Sequence, residues 1–159
     1  MHVLAIDPGT FKSAFIVFNT QAKGILEAGI VDNEELEKHI RQLSWLYKVM
    51  VVEMVKSYGN VIGDSLLGTC VWIGRFIAYN TMAGKDYDLI IRKEIVNRVC
   101  HNSRASDKNV RQALIDLYGG TEIAIGNKKS PGPLYGIKKD LWSALAIAIA
   151  WCEKQEVYG

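Results

Sequence analysis

The run Lys48-Val-Met-Val-Val-Glu-Met-Val55 constrains the fold most. It is nearly all apolar, the signature of a strand covered on both faces of its sheet. Before it, Leu36, Ile40, Leu43 and Tyr47 recur at helical spacing. That helix has Asp32-Asn33 as its candidate cap and Glu34, Glu35 and Glu37 in its first turn, where the dipole favours acid. A strand reached through a crossover helix is normally parallel to the strand it joins. Upstream, Val3–Ile6, Ala14–Phe18 and Gly24–Val31 are close-spaced strand candidates, which predicts an antiparallel meander. Pairing residues 48–55 beside the first strand brings Glu53 to the same end as Asp7.

Charges at the ends of buried strands need an explanation. Asp7 follows Val3–Ile6, and Pro8-Gly9 then turns the chain sharply. A carboxylate beside low-dielectric core needs a cation, a donor or a proton. Its partners could be the N–H groups of its own turn. Glu53 repeats the pattern, with Lys56 available to neutralise it. Asp140 opens a final helix expected from about Lys139 to Lys154, where an acid also suits the helix dipole. Carboxylates gathered in one crevice raise one another's pKa unless cations occupy the site. Mg²⁺ or Mn²⁺ accepts such oxygen ligands and keeps waters for chemistry.

The remaining chain fits one α/β domain spanning residues 1–159. Ser65–Ala78 reads as a helix too apolar all round for a surface position, either central or at a dimer interface. Tyr87–Ile91 is the fifth strand, and Lys93–Cys100 a short helix. Ser106-Asp107 caps a helix over Lys108–Tyr118. Gly126–Gly136 is a basic loop expected to be mobile. Cys70, Cys100 and Cys152 lack metal-ligand spacing and are expected to be buried thiols. No membrane span or leader is evident, which predicts a cytoplasmic protein. Net charge is only +2, yet residues 92–139 hold ten Lys and Arg against four Asp and Glu. Such a stretch suits a polyanion surface or a solvated face.

The tag Ile6-Asp7-Pro8-Gly9-Thr10 resembles the start of RuvC-type Holliday junction resolvases. Ala105-Ser106-Asp107-Lys108-Asn-Val110 resembles that family's Ala-Asp-Lys-x-x-Val, and Asp140 before Ala144-Leu145-Ala146 its closing helix. Asn109–Asp116 and Pro131–Ile137 are similar to phage-encoded members. The resemblance spans most of the chain. It implies a ribonuclease H-like fold: a mixed five-stranded sheet, with a three-strand antiparallel meander plus two parallel strands, flanked by helices. It further implies a homodimeric endodeoxyribonuclease that cuts four-way or other branched DNA in a bacterial or phage-infected cell. Asp7, Glu53 and Asp140 would be catalytic and hold two Mg²⁺ or Mn²⁺ ions. DNA would meet Tyr58, Arg104, Lys108, Arg111, Lys128, Lys129, Lys138 and Lys139, Tyr58 by stacking near the junction centre. One departure stands out. Relatives carry a second acid three positions after the first on the closing helix, where this chain has Ser143. Either Asp140 supplies the last carboxylate, or the protein is a weakly active or inactive structure-specific DNA binder. An actin-like ATPase, which opens with a similar tag, needs a second comparable domain that 159 residues cannot supply.

Overall fold

Strand β1 (His2–Asp7) is apolar on both faces and forms the spine of the structure. Val3 and Ala5 point to one side and Leu4 and Ile6 to the other, all without solvent exposure, as the two-residue strand period requires. β2 (Lys12–Asn19) pairs antiparallel with β1, and β3 (Gly24–Asp32) antiparallel with β2. On the opposite edge of β1, β4 (Val49–Met54) pairs parallel, and β5 (Asp86–Ile91) continues parallel beyond it. The order β3-β2-β1-β4-β5 is the mixed five-stranded, ribonuclease H-like sheet expected from the sequence. These features come from a computed structural model that describes residues 1–158.

Helices cover both faces. Leu4, Ile6, Phe15, Val17, Met50 and Val52 pack under α1 (Asn33–Gln42) and α2 (Asp64–Met82). Val3, Ala5, Ile16, Phe18 and Val51 pack under α6 (Leu141–Tyr158), with α3 (Arg92–Cys100) and α4 (Asp107–Leu117) outside it. Every residue from Ala144 to Ala150 is buried, so α6 is the enclosed helix of this layer. Its alanines let it lie close to the sheet. Among the described residues, every buried polar side-chain atom has a hydrogen-bond partner. Asn80 donates to the carbonyl oxygens of Lys85 and Asp86, at 3.0 Å each, and accepts from the Tyr47 hydroxyl at 3.0 Å, which pins the turn from α2 into β5. No helix among the described residues is long and apolar enough to cross a membrane.

The structure departs from the sequence expectations in several places. Asp32 sits at the start of α1, but its side chain makes no cap bond and lies 3.6 Å from Lys12 instead. Asn33 is fully buried and serves the first turn of the chain. It donates to the Gly9 carbonyl oxygen at 2.9 Å and accepts from the Ser13 hydroxyl at 2.6 Å. Helix α6 begins at Leu141 because Lys139 has φ +48°, a left-handed conformation no α-helix continues. A four-residue helix α5 (Thr121–Ala124) escaped the periodicity argument through its shortness. The loop over residues 126–136 is clasped by a Gly126–Pro131 bridge, and its Gly132 and Leu134 amides donate to the Ile125 and Ala124 carbonyls at 2.9 and 2.7 Å. All three cysteines are free thiols, half-buried rather than enclosed.

Asn33→Ala should therefore lower stability more than loss of one surface bond. It strands the Gly9 carbonyl and the Ser13 hydroxyl in the interior, at about 1–3 kcal/mol each in the unrelieved case. Urea unfolding should show a lower midpoint with an unchanged slope.

Candidate active site at the ends of β1 and β4

Three elements deliver the acids. The β1–β4 register runs Val3↔Val49 to Ile6↔Val52, so Asp7 and Glu53 are the next pair on strands about 4.8 Å apart. Both share the strand face of Val3, Ala5 and Val51, which looks toward α6. Asp140 lies immediately before α6, its carbonyl accepting the Ala144 amide at 3.1 Å. Each acid thus stands at the end of an element packed against the others.

The Asp7 turn is built to hold position. The Gly9 amide donates to Ser13 Oγ at 3.1 Å rather than to the Asp7 carboxylate. A Cβ on Gly9 would collide with the Lys12 carbonyl oxygen, so only glycine fits this turn. Thr10 ties the turn to α2, donating to the Ser65 carbonyl at 3.0 Å and lying 2.8 Å from the Ser65 hydroxyl. The tag Asp-Pro-Gly-Thr is therefore an anchoring device as well as a source of charge.

The electrostatics follow from burial. The Asp7 carboxyl is pushed up to about 7, first by burial, then by the negative charges of Glu53 and Asp140. Arg92 and the Ser143 hydroxyl only partly offset this. Burial likewise raises Glu53, whereas Arg92, 4.0 Å away, pulls it down. Lys56 is not the partner of Glu53; it lies over the Tyr58 ring, 5.8 Å from its centroid. Arg92 also pairs with Asp107 at the start of α4. Among the described residues no three His, Cys, Asp or Glu side chains form a ready metal cage. The donor set nevertheless fits a hard divalent ion: only carboxylate and hydroxyl oxygens are present, and the mutual repulsion on Asp7 is what such an ion relieves.

A cleft of about 340 Å³ opens beside Asp140, between α4 and the start of α6. Lys108, Arg111 and Lys139 line it together with Arg92, Asp107 and Ser143. Arg111 lies over the Trp142 ring, 5.0 Å from its centroid, so stacking holds its guanidinium in the cleft wall. Tyr58 is 55 % exposed and borders a second cleft of about 250 Å³ with Arg92, Lys93 and Ser103. The other cations of the sequence analysis lie outside both clefts. Arg104 is exposed between α3 and α4, Lys128 and Lys129 are exposed on the clasped loop, and Lys138 is exposed before α6. A larger cleft of about 600 Å³, bordered by Cys100, His101, Asp116 and Glu153, uses another face of α4 and contains none of the three acids.

Sequence reasoning overlooked Arg92 as a site residue. The signal was present: like Asp7 and Glu53, it is a charge at the end of an apolar run, here Leu89-Ile90-Ile91. Trp142 carried no such mark, whereas Ser143 was marked by standing where relatives carry a second acid.

No family model matches the chain, and no curated protein matches it by sequence. Solved structures do match. The fold is that of the RuvC-type Holliday junction resolvases. The Thermus thermophilus RuvC structure superposes with TM-score 0.68 at 18% identity, over 99% of this chain and 97% of that one. T. thermophilus RuvC in complex with a Holliday junction substrate gives TM-score 0.75 at 17% identity, over 99% and 96%. The yeast mitochondrial Holliday junction resolvase Ydc2 gives 0.59 at 16%, over 97% of this chain and 78% of that one.

The raised Asp7 pKa has a stability consequence. Between its ordinary value of 3.8 and about 7, the folded protein keeps a proton that the unfolded chain has released. Stability should therefore fall as pH rises through that window, by roughly 1.4 kcal/mol for each pH unit crossed, and stay level above it. In divalent-free buffer, Asp7→Asn should be more stable than wild type near pH ~8, with the gap closing near pH ~4. Urea titrations at several pH values test this; a gap independent of pH would refute it.

Proposed function

We propose that the protein is a divalent-metal-dependent endodeoxyribonuclease that resolves branched DNA, four-way junctions first. The observation that carries this is the β1–β4 register, which sets Asp7 and Glu53 side by side with Asp140 facing them, beside a cleft walled by Lys108, Arg111 and Lys139. The likeness of the fold to a RuvC solved with a Holliday junction substrate supports the choice of DNA. Asp7, Glu53 and Asp140 would hold Mg²⁺ or Mn²⁺, two ions as the resemblance implies, which when bound supply charge neutralisation and a more acidic water. Lys108, Arg111 and Lys139 would position backbone phosphates independently of base sequence, with Arg104, Lys128, Lys129 and Lys138 extending the contact. Tyr58 offers an exposed ring on which an opened base can stack. Hydrolysis would add water across the P–O3′ bond, leaving a 5′-phosphate and a 3′-hydroxyl.

A second reading has its own observation. Ser143 stands beside Asp7 at the position where relatives carry another acid, and its hydroxyl supplies no negative charge. On this reading the protein binds branched DNA and cuts it weakly or not at all. Four-way, three-way, flap and linear duplexes incubated side by side with Mg²⁺, Mn²⁺ or EDTA separate the two. The nuclease reading expects four-way cleavage with metal, abolished in Asp7→Asn and Glu53→Gln while binding persists. Cleavage by Asp7→Asn at the wild-type rate would overturn it.

The homodimer belongs to the same proposal. Helix α2 buries Thr69, Ile73, Phe76 and Asn80 against the protein and leaves Leu67 and Val71 more than half exposed, after the exposed Val61 and Ile62. An apolar stripe of this kind supports placing the interface here. A two-fold pair would bring two sites to opposed strands. Sedimentation at micromolar concentration should show a dimer, and Val71→Lys should shift it to monomer and replace paired cuts with single nicks.

A further inference from the structure

Two clefts meet at Arg92. The cleft of about 340 Å³ holds Lys108, Arg111 and Asp140, the cleft of about 250 Å³ holds Tyr58 and Lys93, and Arg92 is the lining residue they share. Its guanidinium is held from two sides, by Glu53 at the end of β4 at 4.0 Å and by Asp107 at the start of α4. The Asp107 contact does little for stability, since its side chain is 89% exposed and ion pairs at such exposure contribute little. Together the two contacts orient a planar cation. A guanidinium has five donors, and two carboxylates leave some of them turned toward the clefts. Arg is also the side chain best shaped to grip a phosphate with two parallel bonds.

We infer that Arg92 is a phosphate-binding residue, gripping the DNA backbone where a strand passes between the two clefts, and that Asp107 is the positioning residue that aims it. The assignment rests on the branched-DNA reading for its ligand. It adds a cation on the acid side of the cleft, opposite the basic face of α4. A strand crossing there would pass Tyr58, Arg92 and Lys108 in turn, with Glu53 beneath the central contact.

The test is binding of a four-way junction in EDTA over a series of salt concentrations, with wild type, Arg92→Gln, Arg92→Lys and Asp107→Asn. Arg92→Gln should weaken binding about tenfold and flatten the slope of log K against log salt by about one, the loss of one phosphate contact. Arg92→Lys should keep the slope but lose several-fold in cleavage rate with Mg²⁺, since an ammonium cannot make the paired grip. Asp107→Asn should keep the slope and slow cleavage of saturating DNA several-fold. A wild-type slope in Arg92→Gln, or wild-type cleavage in Arg92→Lys, would overturn the assignment. So would thermal destabilisation shared by Arg92→Gln and Asp107→Asn with no change in slope, the mark of a strut. Absence of cleavage by wild type would sink the nuclease reading alone, because the metal-free slope still decides Arg92.

Discussion

The parallel pairing of β1 with β4 is the constraint on which the site depends. Of the four consecutive pairs from Val3↔Val49 to Ile6↔Val52, every residue but the partly buried Val49 is enclosed, so the register is fixed by core packing rather than by the site itself. A slip of one residue would turn Asp7 or Glu53 to the opposite face and drive apolar side chains out of both layers. The candidate acids are therefore placed by hydrophobic packing. The α6 layer adds Asp140 in the same way, since the buried run Ala144–Ala150 locks the helix before its first turn reaches the acids.

Charge is the counterweight. Bringing Asp7 beside Glu53 and Asp140 at the margin of the core opposes folding whenever the acids are ionised, and the protein answers with a single nearby guanidinium. Arg92 lies between the acids and α4, so the basic face that carries Lys108 and Arg111 is linked electrostatically to the strand ends. The Arg111–Trp142 stack makes a second link, from α4 to α6. The two contacts hold α4 to two of the three elements that deliver acids, β4 and α6.

Much of this was legible in the sequence. Asp7 and Glu53 could be found because a charge after an apolar run contradicts its surroundings, and the crossover rule put both at one end of the sheet. Arg92 follows the same pattern but was submerged in a run of basic residues, where a count of charges hides a position. Asn33 misled because an Asn before a helix normally caps it, whereas here tertiary contacts to Gly9 and Ser13 claim the side chain. Lys56, a neighbour in sequence, was the cation on offer for Glu53, whereas the one beside it is Arg92, which opens α3 directly after β5, 39 positions along. Local patterns reported elements and isolated charges; they did not report which distant side chain meets which.

The clasped loop over residues 126–136 has one more implication. A Cβ on Gly126 would strike the Ser130 carbonyl oxygen, and one on Gly132 the carbonyl oxygens of Ile123 and Ala124, so the backbone closes on itself with no space left over. Lys128 and Lys129 are thus mounted on a turn whose ends are bridged and hydrogen-bonded to each other. On the proposed function, a polyanion arriving there would meet charges on a backbone already closed and would not have to organise an open strand of protein first. Little entropy would then be surrendered on contact, and geometry, more than the number of cations, would decide which shapes of nucleic acid engage both lysines at once.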